Sequence, residues 1–469
     1  MLAMVGTLFG MQGNKEERLK FLLLTITFML VIGAYTIAKE LKDSVFVNIV
    51  GQNYLPKAKM LVIFVLIPAA LLYALLVDSL RRYQLFSIYC LIFGIISLVM
   101  GLLLGHPTIG LANMQASPYR LFGWIFYFIF EGFSPYVVGV CWAFANSVSS
   151  PEEAKGNYAT MVAGSKIGGM ATAFFAWRLL SALGTTWWAN FTAVQAHQIL
   201  MFIISGMLLC VPLVLYYMIK KVPGQYLHGY EVVYQLEKQK SIEGKSSTGI
   251  WTGIKMMMKS PYILGIFGLV FFYETLNVIL SFQRILILKD AAPSMELFTA
   301  SMFQQRLIMH LAGFFISLFG ARYLVRYLGE RKSLLLVPIC IAFLLLYFML
   351  TYSSESVLFA FIALGSINYS LSHPLREALY IPATKDIKFK SKSWIDSFGT
   401  KFSKMFGSIF NDVSQRIAAP GSLIFNLVYS AFFIVLVTSW FITSYLLGRT
   451  YEKAVSEDKI IGEELNGQK

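Results

Sequence analysis

The sequence predicts an all-α, polytopic membrane protein of about twelve transmembrane helices, arranged in two related six-helix halves. Two observations of the whole chain lead there. Hydrophobic residues make up 57% of the 469 and charged residues only 14%, more apolar surface than a soluble interior can hide. Apolar runs of about 20 residues, the length that crosses a bilayer, recur from one end to the other. A third, the repeat described below, divides the spans into halves.

The first six spans are expected near 20–38, 57–78, 84–105, 120–146, 158–182 and 198–219. The second six are expected near 261–284, 297–319, 333–351, 355–383, 394–414 and 421–446. The chain therefore reads as a six-helix half at 1–219, a central loop at 220–259, a second half at 260–446 and a tail at 447–469. The start of the central loop, the longest polar stretch, has the pattern of an amphipathic helix lying on a membrane surface. "MLAMVGTLFG" is short and lacks a basic start, so no cleavable signal is expected.

Loops alternate in basic content. Arg81 and Arg82, the lysines from Lys220 to Lys259, the cluster from Arg322 to Lys332 and that from Lys385 to Lys392 fall on one side. The intervening "LGTTWWANFTAVQAHQ" and "YSSES" carry no lysine or arginine. By the positive-inside rule both termini are cytoplasmic, and a cell inner membrane is the expected location. The net charge of +14 would suggest nucleic acid in a soluble protein. Here topology and a charged transport path account for it, and no nucleic acid is expected. Lys39, Lys42, Lys57 and Lys59 lie on the side that otherwise avoids lysine.

The halves resemble each other. "GSKIGG" at 164–169 in the fifth span answers "GTKFSK" at 399–404 in the eleventh, 235 residues on. The basic loops "DSLRRYQL" (78–85) and "VRYLGERKSL" (325–334) hold matching places. Two parallel six-span halves are the architecture of the major facilitator transporters.

Ionisable groups within spans cost several kcal/mol, roughly 2.5–3.5 for Lys or Arg at mid-helix, and so face a bundle interior or a cavity. The first half holds Lys39, Lys42, Glu131 and Lys166. The second holds Glu274, Arg284, Arg306 with Gln304, Arg376, Glu377, Lys401 and Lys404. Bases outnumber acids, so a cavity built from them is positive. Lys39 and Lys42 fit two readings, cavity cations or anchors snorkelling to the interface. Arg376 and Glu377 fit a pathway or a structural ion pair. In "KELKDS" (39–44), Lys39 and Lys42 share a helix face with Asp43, which can neutralise one of them, while Glu40 points about a quarter-turn away.

Soluble-enzyme chemistry is missing from the sequence: no GxxxxGK[ST] loop, no HExxH and no zinc-spaced Cys/His cluster. Cys90, Cys141, Cys210 and Cys340 sit in apolar runs and read as packing residues, and His310 and His373 as isolated bundle residues. No cofactor or metal is expected.

Three stretches carry a resemblance. "KELKDS" is similar to the first-span signature of the bacterial and plastid nucleotide transporters, the ATP/ADP translocases of obligate intracellular parasites. "WAFANSVSSPEEAKGNY" (142–158) resembles their fourth-span exit, and its Asn146 is a structural or gating candidate. "HPLREALYIPATKDIKFKSKSWIDSFGTKFSKMFGS" (373–408) resembles their tenth-to-eleventh-span block. The resemblance implies twelve spans, transport of ATP against ADP or of related nucleotides, and transport roles for Lys42, Glu131 and Lys404, with Lys39 and Lys401 as matching neighbours. The seventh span departs: the family's Asn-x-x-Glu reads "NVIL", with Leu280 in place of the acid, Arg284 where a base follows and Glu274 several residues earlier.

Charge and resemblance agree on an ATP/ADP antiporter working by alternating access, its phosphates bound by a basic midplane cavity containing Lys39, Lys42, Glu131, Lys166, Glu274, Arg284, Arg376, Lys401 and Lys404. Asp43, Glu377 and Asn146 are the structural or gating set. The partners are the bilayer and a nucleotide: ATP, ADP, other nucleoside triphosphates or phosphate. The alternatives are a facilitator for another anionic metabolite and a membrane-embedded enzyme or flippase. The short, acid-poor outer loops disfavour the last.

Overall fold

The computed structural model describes residues 14–149, 151–183, 190–227, 257–316, 322–351, 353–380, 382–384, 387, 391–419, 422–457, 459 and 461–462. Among them, helical segments stand at all twelve expected places. The first half contains α1 (Lys15–Ile49), α2 (Leu55–Ser79), α3 (Arg82–Leu104), α4 (Leu121–Glu131) with α5 (Gly139–Ser147), α6 (Pro151–Ser181) and α7 (Ala193–Lys221). The second contains α8 (Pro261–Ala291), α9 (Met295–Phe315), α10 (Arg322–Thr351), α11 (Ser354–Ile367) with α12 (His373–Ala378), α13 (Lys392–Trp394) with α14 (Thr400–Ile417), and α15 (Leu423–Ser456). The protein is all-α and multi-pass: eight of these segments are long and apolar enough to cross a membrane. Two that fall short are polar for their length. Gln304, Gln305, Arg306 and His310 interrupt α9, and Lys401, Lys404, Asp412 and Arg416 punctuate α14.

The largest departures from the expected boundaries are at α1, α10 and α15, and α10 begins at Arg322 where 333 was expected. The first span was placed at 20–38, with the charged cluster as its end, but α1 runs on to Ile49. The charges do not stop it because neighbouring helices supply opposite charges that offset their desolvation. At the other end, α15 continues to Ser456, through the first part of the expected tail. The surface helix expected in the central loop falls largely outside the described residues, and its described stretch, Gly224–Leu227, is a single 3₁₀ turn.

Among the described residues, three complete π-turns interrupt spans: Ser134–Val138 between α4 and α5, Asn368–Ser372 between α11 and α12, and Ile395–Gly399 between α13 and α14. Each widened turn adjoins sequence candidates, respectively Glu131, Arg376 with Glu377, and Lys401 with Lys404. A π-turn shifts the register of the side chains beyond it, and such turns often lie at functional sites.

The chain divides into two compact units. Unit 1 comprises Met1–Ala58, Phe64–Ser246 and Ala291–Leu307; unit 2 comprises Lys59–Ile63, Ser247–Asp290 and Ile308–Lys469. In unit 1, α6 lies close on α1. A Cβ added to Gly164 would meet Thr25 at 2.3 Å, and one on Gly168 would lie 2.2 Å from the Met29 carbonyl oxygen. These are the glycines of "GSKIGG", a small-xxx-small seam of the kind that lets membrane helices approach closely. In unit 2, Ser403 of the matching stretch, with Gly407 one turn past it, packs α14 on α8. A Cβ on Gly407 would lie 2.7 Å from the Thr275 carbonyl, and the Thr275 hydroxyl donates to the Ser403 carbonyl at 3.2 Å. The repeat read from the sequence is thus a repeated helix-packing seam in each unit.

Candidate functional site

The charges of α1 point two ways. Helical rotation of about 100° per residue places Tyr35, Lys39 and Lys42 on one stripe. Lys42 is 7% exposed, yet it is no bare buried cation. Its Nζ donates to Glu131 Oε2 at 2.5 Å, lies 3.5 Å from Asp43 Oδ1 and stands 4.7 Å from the centre of the Tyr127 ring. Glu131 is placed by α4, whose last residue it is. One ammonium between two carboxylates, with an aromatic face beside it, is compensated for charge and able to exchange a carboxylate for another anion.

Of the two lysines on its helix face, Asp43 accompanies Lys42 and not Lys39. Lys39 is half-buried with its ammonium over the Tyr35 ring, 5.8 Å from the centre. The carboxylate of Asp43 instead accompanies Lys42, which Glu131 draws inward.

Glu40 corrects the sequence reading most. It was set aside as pointing off the candidate face; it is 1% exposed and paired with Arg306, whose Nε donates to Glu40 Oε1 at 2.6 Å. One turn on, the Ser44 hydroxyl and the Thr299 hydroxyl share a 2.5 Å hydrogen bond. Thr299 is also 3.0 Å from Nε2 of the buried His197, whose Nδ1 lies 2.7 Å from the Ala193 carbonyl. For a neutral imidazole, Nδ1–H then donates to that carbonyl, and the single Thr299 hydroxyl proton is shared between Nε2 and the Met295 carbonyl, 2.9 Å away. This polar column ties α1, α7 and the first turns of α9 together within unit 1. Of the two α9 groups singled out beforehand, Arg306 is buried and Gln304 exposed; Gln305 is the buried glutamine.

Unit 2 has a looser counterpart of the Lys42 pair. Lys404 Nζ of α14 is 3.9 Å from Glu274 Oε2 of α8. Leu280, at the place of the family acid, is 1% exposed and packs in the unit's core. Arg284 is equally buried, its guanidinium 4.4 Å from the centre of the Phe361 ring. Lys401 is half-buried, about 140° around α14 from the mean direction of Ser403 and Gly407. In unit 1, Lys166 is half-buried and about 160° around α6 from the Gly164–Gly168–Thr172 seam. Both repeat lysines therefore stand on the helix face turned away from their packing partner. Glu377 pairs with Lys392 beside the third π-turn, and Lys392 also lies 5.4 Å from the Tyr380 ring centre. Arg376 is half-buried, and Asn146 is exposed.

The structure thus brings together Lys42, Asp43 and Glu131 in unit 1, and Glu274 with Lys404 in unit 2. Sequence reasoning missed Tyr127, Ser44, His197 and Thr299. It also missed Lys20, fully buried, whose Nζ donates to the carbonyls of Val148 at 3.0 Å and Tyr226 at 2.9 Å. A lysine immediately before "FLLL" was the available signal for Lys20. Nothing local marks the others.

A family described as TLC ATP/ADP transporter matches residues 4–451. Among curated proteins, the chain is similar to ADP,ATP carrier protein 3 of Rickettsia bellii (strain RML369-C), 21% identical over 486 residues, covering 93% of this chain and 95% of that one. It is also similar to the chloroplastic ADP,ATP carrier protein 1 of Arabidopsis thaliana, 24% identical and covering 94% of this chain and 75% of the other. Among solved structures it resembles the nucleoside transporter NupG, with a TM-score of 0.58 at 12% identity, covering 90% of this chain and 98% of that one. The inward-open xylose transporter XylE from E. coli gives 0.57 at 11% identity, covering 90% and 94%. At such identities the structural likeness shows the facilitator-type fold alone.

Proposed function

We propose that this chain, which belongs to the TLC ATP/ADP transporter family, exchanges ATP for ADP across an inner membrane in which both its termini are cytoplasmic. The coarser statement stands without the proposal: the protein is a multi-pass nucleotide transporter and not an enzyme. The finer reading is supported by one observation above all. Lys42 is buried against Glu131 and Asp43, an arrangement that keeps a phosphate-binding cation neutralised in an empty site.

In this reading, nucleotide phosphate takes Lys42 from Glu131 in unit 1, and the Lys404–Glu274 pair of unit 2 is open to the same exchange. The ammonium exchanges one charge-assisted hydrogen bond for another, so the cation itself is not left uncompensated when the carboxylate releases it. A lone lysine at position 42 would bear the desolvation cost between turnovers. Lys39, Lys166, Lys401, Arg284 and Arg376 add positive potential, which favours an anion carrying several negative charges. Aromatic side chains, 15% of the chain, supply faces for the base, and every nucleobase has a π-face to stack. Access alternates between the two sides. Other nucleoside triphosphates and phosphate are further candidate substrates on the same chemistry.

Proteoliposomes containing the purified chain and loaded with ADP test this. External labelled ATP should accumulate only when a nucleotide is inside, and an unlabelled external excess of ADP should compete. ATP uptake into empty vesicles driven by a proton gradient would overturn antiport; no uptake of any nucleotide, with correctly inserted protein, would overturn the reading as a whole.

A further inference from the structure

We propose that a groove on unit 2 binds an anionic phospholipid. The groove, about 760 Å³, is lined by Gly265, Gly268 and Phe271 of α8, Phe402 of α14, and Ser439 and Thr443 of α15. Its floor is the seam of two antiparallel helices. A Cβ on Gly265 would meet Leu447 at 2.8 Å, and one on Gly268 would meet Thr443 at 3.3 Å. The small residues of α8 leave the trough, and Phe271 and Phe402 rise beside it with ring centres 6.3 Å apart. The rim residues Leu264, Phe402 and Leu446 are 43%, 44% and 56% exposed. In a chain that crosses a bilayer, an open apolar trough of this kind is in contact with acyl chains.

One end of the groove differs in chemistry. Ser260 and Thr450 line it, placing two hydroxyls where the apolar lining stops. Past them, in the register that the Gly265–Leu447 contact sets, stand two exposed cations, Lys259 and Lys453, and a third exposed cation, Arg449, adjoins Thr450 in sequence. Lys453 is one turn past Thr450 on the same stripe of α15. Glu457 lies 4.0 Å from Lys453 but also holds Lys459 at 2.6 Å, so this end keeps an excess of positive charge. A trough for a tail that ends in hydroxyls and cations matches a lipid with an anionic phosphate headgroup rather than a zwitterionic one. Basic pockets at the ends of membrane helices recognise such headgroups. None of these residues belongs to the proposed transport site, so the inference stands apart from that function.

Native mass spectrometry of the full chain in detergent micelles tests it, using phosphatidylglycerol and phosphatidylcholine with identical acyl chains. Phosphatidylglycerol should be retained about tenfold more strongly. The triple change Lys259→Gln, Arg449→Gln, Lys453→Gln, all at exposed positions, should remove that preference. Thr443→Phe, which fills the trough, should lower retention of both lipids. Equal retention of the two lipids by the unaltered protein would overturn the proposal, as would a preference that survives the triple change. Displacement of phosphatidylglycerol by millimolar inorganic phosphate would also sink it, reassigning the cations to a soluble anion.

Discussion

Glu40 of α1 and Arg306 of α9 form a buried ion pair, 1% and 6% exposed, across 266 positions of sequence. One turn further along α1, Ser44 meets Thr299 of α9, which meets His197 of α7, and the three continue the same seam. A buried pair is poor evidence of net stabilisation, but removing one partner strands the other charge at a cost of about 3–5 kcal/mol.

Glu40→Gln and Arg306→Gln are therefore each expected to lower the thermal midpoint of the detergent-solubilised protein. Glu40→Leu with Arg306→Met together should recover most of the loss, because no charge remains unpaired. Thermal aggregation followed by size-exclusion chromatography reads both. Additive losses in the double variant would show that the two side chains do not act as a pair.

Lys42→Ala and Lys404→Ala are each expected to lower nucleotide uptake about tenfold or more at equal membrane abundance. That matches loss of a charge-assisted phosphate contact worth roughly 1.5–3 kcal/mol. Lys42→Arg keeps the charge but replaces a compact ammonium by a planar fork. It should retain nucleotide binding better than exchange. Near-normal uptake in Lys42→Arg and Lys42→Gln alike would leave Lys42 a structural group.

Cysteine protection offers an independent check on α1. In a background lacking Cys210 and Cys340, which are at least partly exposed, Lys42→Cys should react with a charged thiol reagent and be protected by ATP. Lys57→Cys and Lys59→Cys should react equally with and without nucleotide. Protection at all three positions would point to a general conformational closure instead of contact at 42.

Gly168→Ala should destabilise the protein more than Lys166→Ala. The added methyl would lie 2.2 Å from the Met29 carbonyl oxygen, a backbone atom that cannot move without displacing α1. Lys166 lies on the opposite face of α6, so Lys166→Ala should instead lower uptake at normal abundance. Midpoints and uptake measured on the same preparations separate the two effects, and a normal midpoint for Gly168→Ala would contradict the seam.

How much was legible beforehand follows from the range of each interaction. Span positions were legible because bilayer thickness imposes a length on contiguous residues. The repeat was legible in "GSKIGG" and "GTKFSK" because a helix seam needs small residues at local spacing. The charged residues of the candidate site were legible as types, since an ionisable group inside a span is costly wherever it occurs.

Their partnerships were not. Lys42 and Glu131 are 89 positions apart, and Glu274 and Lys404 lie on spans separated by three others. Nothing in either neighbourhood specifies which helix faces which. The sequence by itself determined the spans, the internal repeat and the excess of positive charge, all of which follow from composition and local spacing. Only the tertiary structure decided that Lys42 rests between two carboxylates, that Asp43 serves it and not Lys39, and that Glu40 belongs to a separate buried seam with Arg306. A buried charge is tolerable only beside a compensating one, and helix packing alone sets that pairing.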